Sequence, residues 1–227
     1  MRDSGPGVEV RVEVPGVAIG WVVASDCRVT LSPPDLAEEI RAEVARAREA
    51  SESAQTMARR AAVRDLLRFG RYKPTGRAKP ASEYLLHVAV SGELPAINTL
   101  VDINNLVSLA SVLPISVFDL EKAWAEAFLV RRGRPGESYI FNASGQVIDL
   151  EDLLLTARLP ADSPCASPVK DAQATKTSLE TTEALALVYA PASLARAAED
   201  AARRMATLIA RHCGARTSHG TILGPPA

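Results

Sequence analysis

Between Ile97 and Leu120 the chain runs INTLVDINNLVSLASVLPISVFDL, with a helical period in its first half and a proline-led turn after it. At 3.6 residues per turn, Leu100, Ile103, Leu106, Val107 and Ala110 share one apolar face. Asn98 stands where a side chain caps the first turn. Asn98, Asp102 and Asn105 fall on a second strip, and Asn104, Ser108 and Ser111 on a third. Adjacent asparagines weaken a helix, because their amides compete for backbone hydrogen bonds. Asn104 and Asn105 are therefore candidates for a task beyond helix formation. The plainer reading has Asn104 facing water and Asn105 satisfying a buried neighbour.

Upstream, Val8 to Val14 alternates apolar with charged residues, the period of a half-buried strand. Pro15-Gly16 breaks it, and Val17 to Val23 reads as a strand buried on both faces. Helices are expected over Leu36–Ala50 and Ala54–Phe69, with Gly70 as a stop, then a loop over Tyr72–Ala81 and a short helix capped by Ser82. Downstream, Ser138–Phe141 and Val147–Leu150 read as a hairpin around Asn142-Ala143-Ser144-Gly145, followed by a strand at Leu153–Ala157. Ala161–Pro168 is expected as loop, Leu185–Tyr189 as strand and Leu194–His212 as helix. Strands and helices interleave without a βαβ rhythm, which predicts a mixed α+β fold rather than a doubly wound one. The expected boundaries are a disordered N-terminus over 1–7, one domain over 8–215 and a flexible tail over 216–227.

The 227 residues are 47% hydrophobic and 23% charged, ordinary for a globular chain with a sizeable core. A net charge of -1 gives no global field to draw in polyanions, so any nucleic-acid contact must come from a local patch. Cys27, Cys165 and Cys213 are odd in number and far apart, which indicates neither a disulfide framework nor a zinc site and fits a reducing cytoplasm. No secretory signal is read at Met1–Gly7. The longest apolar run, near Val17–Ala24, is too short to span a bilayer, so no membrane association is expected.

The pattern Asn98-x-x-Val101-Asp102-x-x-Asn105, with Pro114 and Phe118-Asp119-Leu120 after it, resembles the B3/B4 module of bacterial-type phenylalanyl-tRNA synthetase β subunits. There an INN-V-VD-x-TN helix leads to a P-x-H-A-F-D turn. The resemblance runs from about Arg77 to Tyr189, within a motif-bearing part at 72–190, and includes Gly136-Glu137. It implies a three-layer sandwich with mixed sheets and flanking helices, in a freestanding copy of the module without a class II catalytic core. It also implies tRNA or aminoacyl-tRNA as partner, an amino acid or aminoacyl group in a pocket, and neither metal nor cofactor. In that family the module hydrolyses tyrosine wrongly esterified to tRNA, a task for an oriented water and oxyanion donors.

Carried over by position, the family's Thr-Asn pair falls on Asn104 and Asn105, and its site histidine on Ser116. The glutamate that reads the tyrosine hydroxyl falls on Val188, counting from Thr182, with a gap able to move the count by one or two. Serine holds no proton that titrates near neutrality, and valine cannot accept a phenol's hydrogen bond, so tyrosine selectivity is not implied. The resemblance makes Asn105, Ser116 and Asn104 the catalytic candidates, turned toward a common cavity. Asn98, Asp102, Ser167, Lys170 and Val188 are its substrate-binding candidates.

The densest basic region runs from Arg59 to Lys79. Arg60, Arg64 and Arg68 recur on one helix face, Arg71, Lys73, Arg77 and Lys79 follow, and Tyr72 is placed to stack a base. This suits either an RNA-tracking patch or a solvated helix face. Ser167-x-x-Lys170 matches a Ser-Lys hydrolase motif without its partner motifs. The histidines have no metal-ligand spacing, and Trp21 and Trp124 read as core residues. Two functions remain open: a hydrolase that edits mischarged aminoacyl-tRNA, and a non-catalytic binder of RNA or of an amino acid.

Overall fold

A computed structural model of the chain describes residues 7–92 and 94–226. All but Gly7 of the expected disordered N-terminus therefore lies outside the described residues. In chain order the elements are β1 (Glu9–Val12), β2 (Val17–Ser25), α1 (Pro34–Ala50), α2 (Ala54–Leu67), α3 (Ala81–Ser91), α4 (Thr99–Ser111), β3 (Ile115–Asp119), α5 (Leu120–Ala123), β4 (Ala127–Arg132), β5 (Ser138–Ile140), β6 (Val147–Asp149), β7 (Leu154–Leu159), β8 (Ser163–Ala166), β9 (Ala184–Pro191), α6 (Ala195–Cys213) and β10 (Arg216–Leu223).

Strand β2 carries VAIGWVVAS and is buried at every position except Trp21, so both of its faces must be covered. It lies inside an antiparallel sheet of order β10-β2-β9-β3. One face of that sheet receives α6, with α4 packed beside it. The close approach depends on Gly20, where a Cβ would lie 2.5 Å from the Ala198 carbonyl oxygen. The other face receives a second sheet, β1-β4-β7-β8, in which β1 and β4 are parallel and the other pairs antiparallel. Phe118 and Phe128 meet across the two sheets with ring centroids 5.3 Å apart, and the Tyr189 hydroxyl lies 2.9 Å from Thr156 Oγ1. The architecture is thus mixed α+β, as expected, in three layers: helices, antiparallel sheet and mixed sheet. Helices α1, α3 and α4 share a smaller core of Val44, Ala47, Leu86, Ala89 and Leu109. No helix among the described residues is long and apolar enough to cross a membrane.

Several expectations need correction. The supposed flexible tail is β10, paired with β2 from Arg216↔Ser25 to Leu223↔Ala18. Its polar residues hid it, because an edge strand needs little apolar periodicity. The Pro114–Leu120 turn is strand β3, buried at all five positions and therefore without alternation. Part of the expected loop at Ala161–Pro168 is β8. Ser82 lies inside α3, whose N-cap is Pro80. Trp124 is 92% exposed, in a left-handed turn closing the single turn of α5, and is no core residue.

Candidate functional site

The sequence sets α4 well. Asn98 Oδ1 accepts from the Val101 amide at 3.0 Å, the cap that its position predicts. Asp102 is buried and accepts from the Ile97 amide (3.0 Å) and from Ser32 Oγ (2.6 Å), pinning the segments that lead into the helix. Both proposed substrate contacts are therefore occupied in building the fold. The adjacent amides are placed opposite to their plain reading. Asn104 is buried with Oδ1 lacking a partner among the described residues, and Asn105 is half-exposed. Asn105 lines a groove of about 350 Å³ between α1 and α4, with Arg41, Arg48 and Pro95.

Ser116 lies elsewhere. It is fully buried, and its Oγ sits 2.6 Å from Asp171 Oδ1 and 3.2 Å from the Ser167 carbonyl oxygen. Asn105 and Ser116 do not share a cavity. Val188 does not join Ser116 either. It pairs with Gly20 and Ile115, on the face of the sheet that meets α6, whereas Ser116 pairs with Leu187 on the opposite face. Ser167 Oγ donates to the Lys170 carbonyl (2.8 Å) and accepts from the Lys170 amide (3.2 Å), so it ties its own loop. Lys170 Nζ lies 3.8 Å from the centre of the Phe141 ring, and no Ser-Lys dyad forms.

A different cleft gathers the chemistry. It holds about 600 Å³, within the range of small-molecule sites, and lies between α3, the loop before it, the β5–β6 hairpin and the loop after β8. Arg60, Arg77, Lys79, Lys170 and Lys176 line it, together with Tyr84, Glu83 and Asp171. Glu83 is consumed at the wall: its carboxylate takes both Arg60 and Arg64. Arg77 and Lys79 are exposed and have no ion-pair partner among the described residues. Lys176 Nζ donates to the Phe141 carbonyl at 2.6 Å. Tyr84 is 67% exposed, a flat face open to a planar group.

Asp171 forms part of the floor. Ser116 Oγ and the Ser167 amide (3.3 Å) both donate to its Oδ1. Burial pushes its carboxyl up to about 6, against the opposing pull of those hydrogen bonds and of Lys176. Beneath it, burial pushes the Tyr139 and Tyr189 phenols and the Cys165 thiol far up, so none of the three supplies a nucleophile near neutrality.

The basic region is thereby sorted. Arg77 and Lys79 line the cleft. Arg68 pairs with Asp65, Arg71 with Glu151, and Lys73 donates to the Gly70 carbonyl, all outside it. Arg60 and Arg64 are bound to Glu83 rather than forming an open stripe. Tyr72 is buried, donates to the Ala78 carbonyl at 2.5 Å and cannot stack a base. Sequence reasoning missed Tyr84, Asp171 and Lys176. The one available signal was the clustering of Lys170, Asp171 and Lys176 in a loop otherwise poor in charge.

This chain is a mixed α+β module with a cation-lined cleft between α3, the β5–β6 hairpin and the loop after β8. A family model described as the B3/4 domain matches residues 73–214, and the chain belongs to that family. It is also similar to the phenylalanine–tRNA ligase beta subunit of Streptococcus mutans serotype c (strain ATCC 700610 / UA159), with 33% identity over 90 residues. That match covers 39% of this chain and 11% of the subunit, so the chain spans about a tenth of that relative.

Proposed function

We propose that the chain is a tRNA-binding module that seats the single-stranded acceptor end of a tRNA in the cleft and does not hydrolyse what that end carries. The supporting observation is the convergence of Arg77, Lys79, Lys170 and Lys176 on one cavity, in a chain whose net charge is only -1. Cations held on one face attract a phosphate backbone without a global field. Tyr84 offers the aromatic face on which an unpaired base stacks. Kinship with a tRNA ligase subunit supports tRNA over other RNA.

Binding is favoured over editing because two of the three candidate catalytic residues are spent or separated. Ser116 Oγ is fully buried and engaged with Asp171, while Asn105 opens on another groove. Two measurements test this. Wild-type protein titrated against tRNA should bind, with affinity falling steeply as salt rises. A panel of mischarged tRNAs incubated with the protein should deacylate at the background rate. Turnover that Asp171→Asn abolishes would replace the binding reading with an editing one, with the raised carboxyl as general base.

A further inference from the structure

Strand β10 closes one side of the antiparallel sheet, and its outer edge is an unused ladder. The Gly224 amide donates to the Val17 carbonyl (2.8 Å), which fixes the phase of the β2–β10 register. Hydrogen-bonded pairs alternate along an antiparallel ladder, so Arg216, Ser218, Gly220 and Ile222 bond to β2. Thr217, His219, Thr221 and Leu223 therefore aim their amides and carbonyls away from it. Among the described residues these outward groups have no backbone partner. Sheet edges are ordinarily guarded by proline, lysine, a bulge or a covering element. Strand β10 reads RTSHGTIL and keeps an unbroken register to β2, so it has none of the first three. Strand β1 approaches it from the second sheet without bridging to it.

We propose that β10 pairs antiparallel with β10 of a second copy of this chain, about a twofold axis at Gly220, so that two four-stranded sheets become one. The edge matches itself in that register. Thr217 falls opposite Leu223 of the second copy and His219 opposite Thr221, which uses every outward amide and carbonyl. An axis at His219 or at Thr221 would leave Leu223 or Thr217 without an opposite residue in the strand. Side chains that face each other across a ladder lie on the same face of the sheet. Thr221 Oγ1 is buried and lacks a partner among the described residues, and the axis at Gly220 sets an imidazole beside it. Trp21, the one residue of β2 that is not buried, lies against Gly220, where a Cβ would come within 2.9 Å of its ring. The same axis brings the two indole rings together and covers what each leaves open. Beside the edge, α6 presents Arg196, Glu199, Asp200 and Arg203, two charges of each sign, so two copies meet without net repulsion.

The test is sedimentation equilibrium of the full chain across micromolar concentrations. Wild type should reach twice the mass of one chain. His219→Pro removes an outward amide and no bond to β2, so it should stay folded and monomeric. Ser218→Pro removes an inward amide and should lower the melting temperature instead. A charge pair of variants decides the matter even where His219→Pro does not fold. Thr217→Lys/Leu223→Lys sets like charges directly opposite each other and should weaken the dimer about tenfold. Thr217→Lys/Leu223→Glu sets opposite charges there and should leave it at wild-type strength or above. Wild type that stays monomeric throughout overturns the pairing. A dimer that persists in folded His219→Pro, or that responds equally to the two charge variants, overturns it as well, since the interface or its register then lies elsewhere.

Discussion

Asp171 is held by donors that want it as an acceptor, in surroundings that make its charge costly. Its folded pKa of about 6 stands above the ordinary 3.8. Between those values the folded chain keeps a proton that the unfolded chain has shed. The stability so contributed is fully present below pH 3.8 and is lost as pH rises through about 6. Asp171→Asn should remove that slope and raise stability near pH 7.5 by roughly 1–3 kcal/mol, the difference vanishing in acid. Thermal melts across pH 4–8 check this. Glu137 and Asp162 run in the opposite direction. Burial raises both, but the hydrogen bonds and charges of Arg131 and Arg134 together outweigh it and hold both carboxyls low, so their contribution is lost only as pH falls below the ordinary values of 4.5 and 3.8. The two windows therefore separate in one titration. Asp171 carried only one weak signal in the sequence, its place between Lys170 and Lys176, until the fold brings Ser116 to it. Ser116 was legible as a candidate but not as a buried partner of Asp171, because only the fold turns its hydroxyl inward.

The elements owe their arrangement to a few close approaches. At Gly20 any Cβ meets the Ala198 carbonyl, so Gly20→Ala should push α6 off β2 and destabilise the chain by about 1–3 kcal/mol, read from denaturant midpoints at unchanged slope. Strand β10 covers the outer edge of β2 and begins just past Gly214, which ends α6 in the left-handed region at φ 63°. Truncation after Ala215 should therefore lower the melting temperature strongly, whereas a flexible tail would be removed without effect. Periodicity revealed β2, α1, α4, β9 and α6, because each carries a long apolar stripe or run. It did not reveal β3, β8 or β10. The first is buried on both faces, the second is only four residues long, and the third is polar.

Across the whole molecule, positive charge is apportioned rather than plentiful. The arginines of α2 and the turn after it neutralise Glu83, Asp65 and Glu151, and α6 uses Arg204 and Arg211 against the acids of α1. Arg77 and Lys79 stay unpaired at the cleft, and no count of basic residues along the chain could have separated them from the paired arginines. Asn105→Ala, in the groove on the far side of α4's sequence motif, should leave tRNA affinity unchanged by filter binding. The most direct test is the salt dependence of tRNA affinity in wild type, in Arg77→Ala/Lys79→Ala and in Arg68→Ala/Arg71→Ala. Loss of two phosphate contacts should lower the slope of log affinity against log salt by about 1.4, at roughly 0.7 per contact on a single strand, in the Arg77/Lys79 variant alone. Equal slopes for that variant and wild type, or a drop confined to the Arg68/Arg71 variant, would contradict a cleft-bound RNA end.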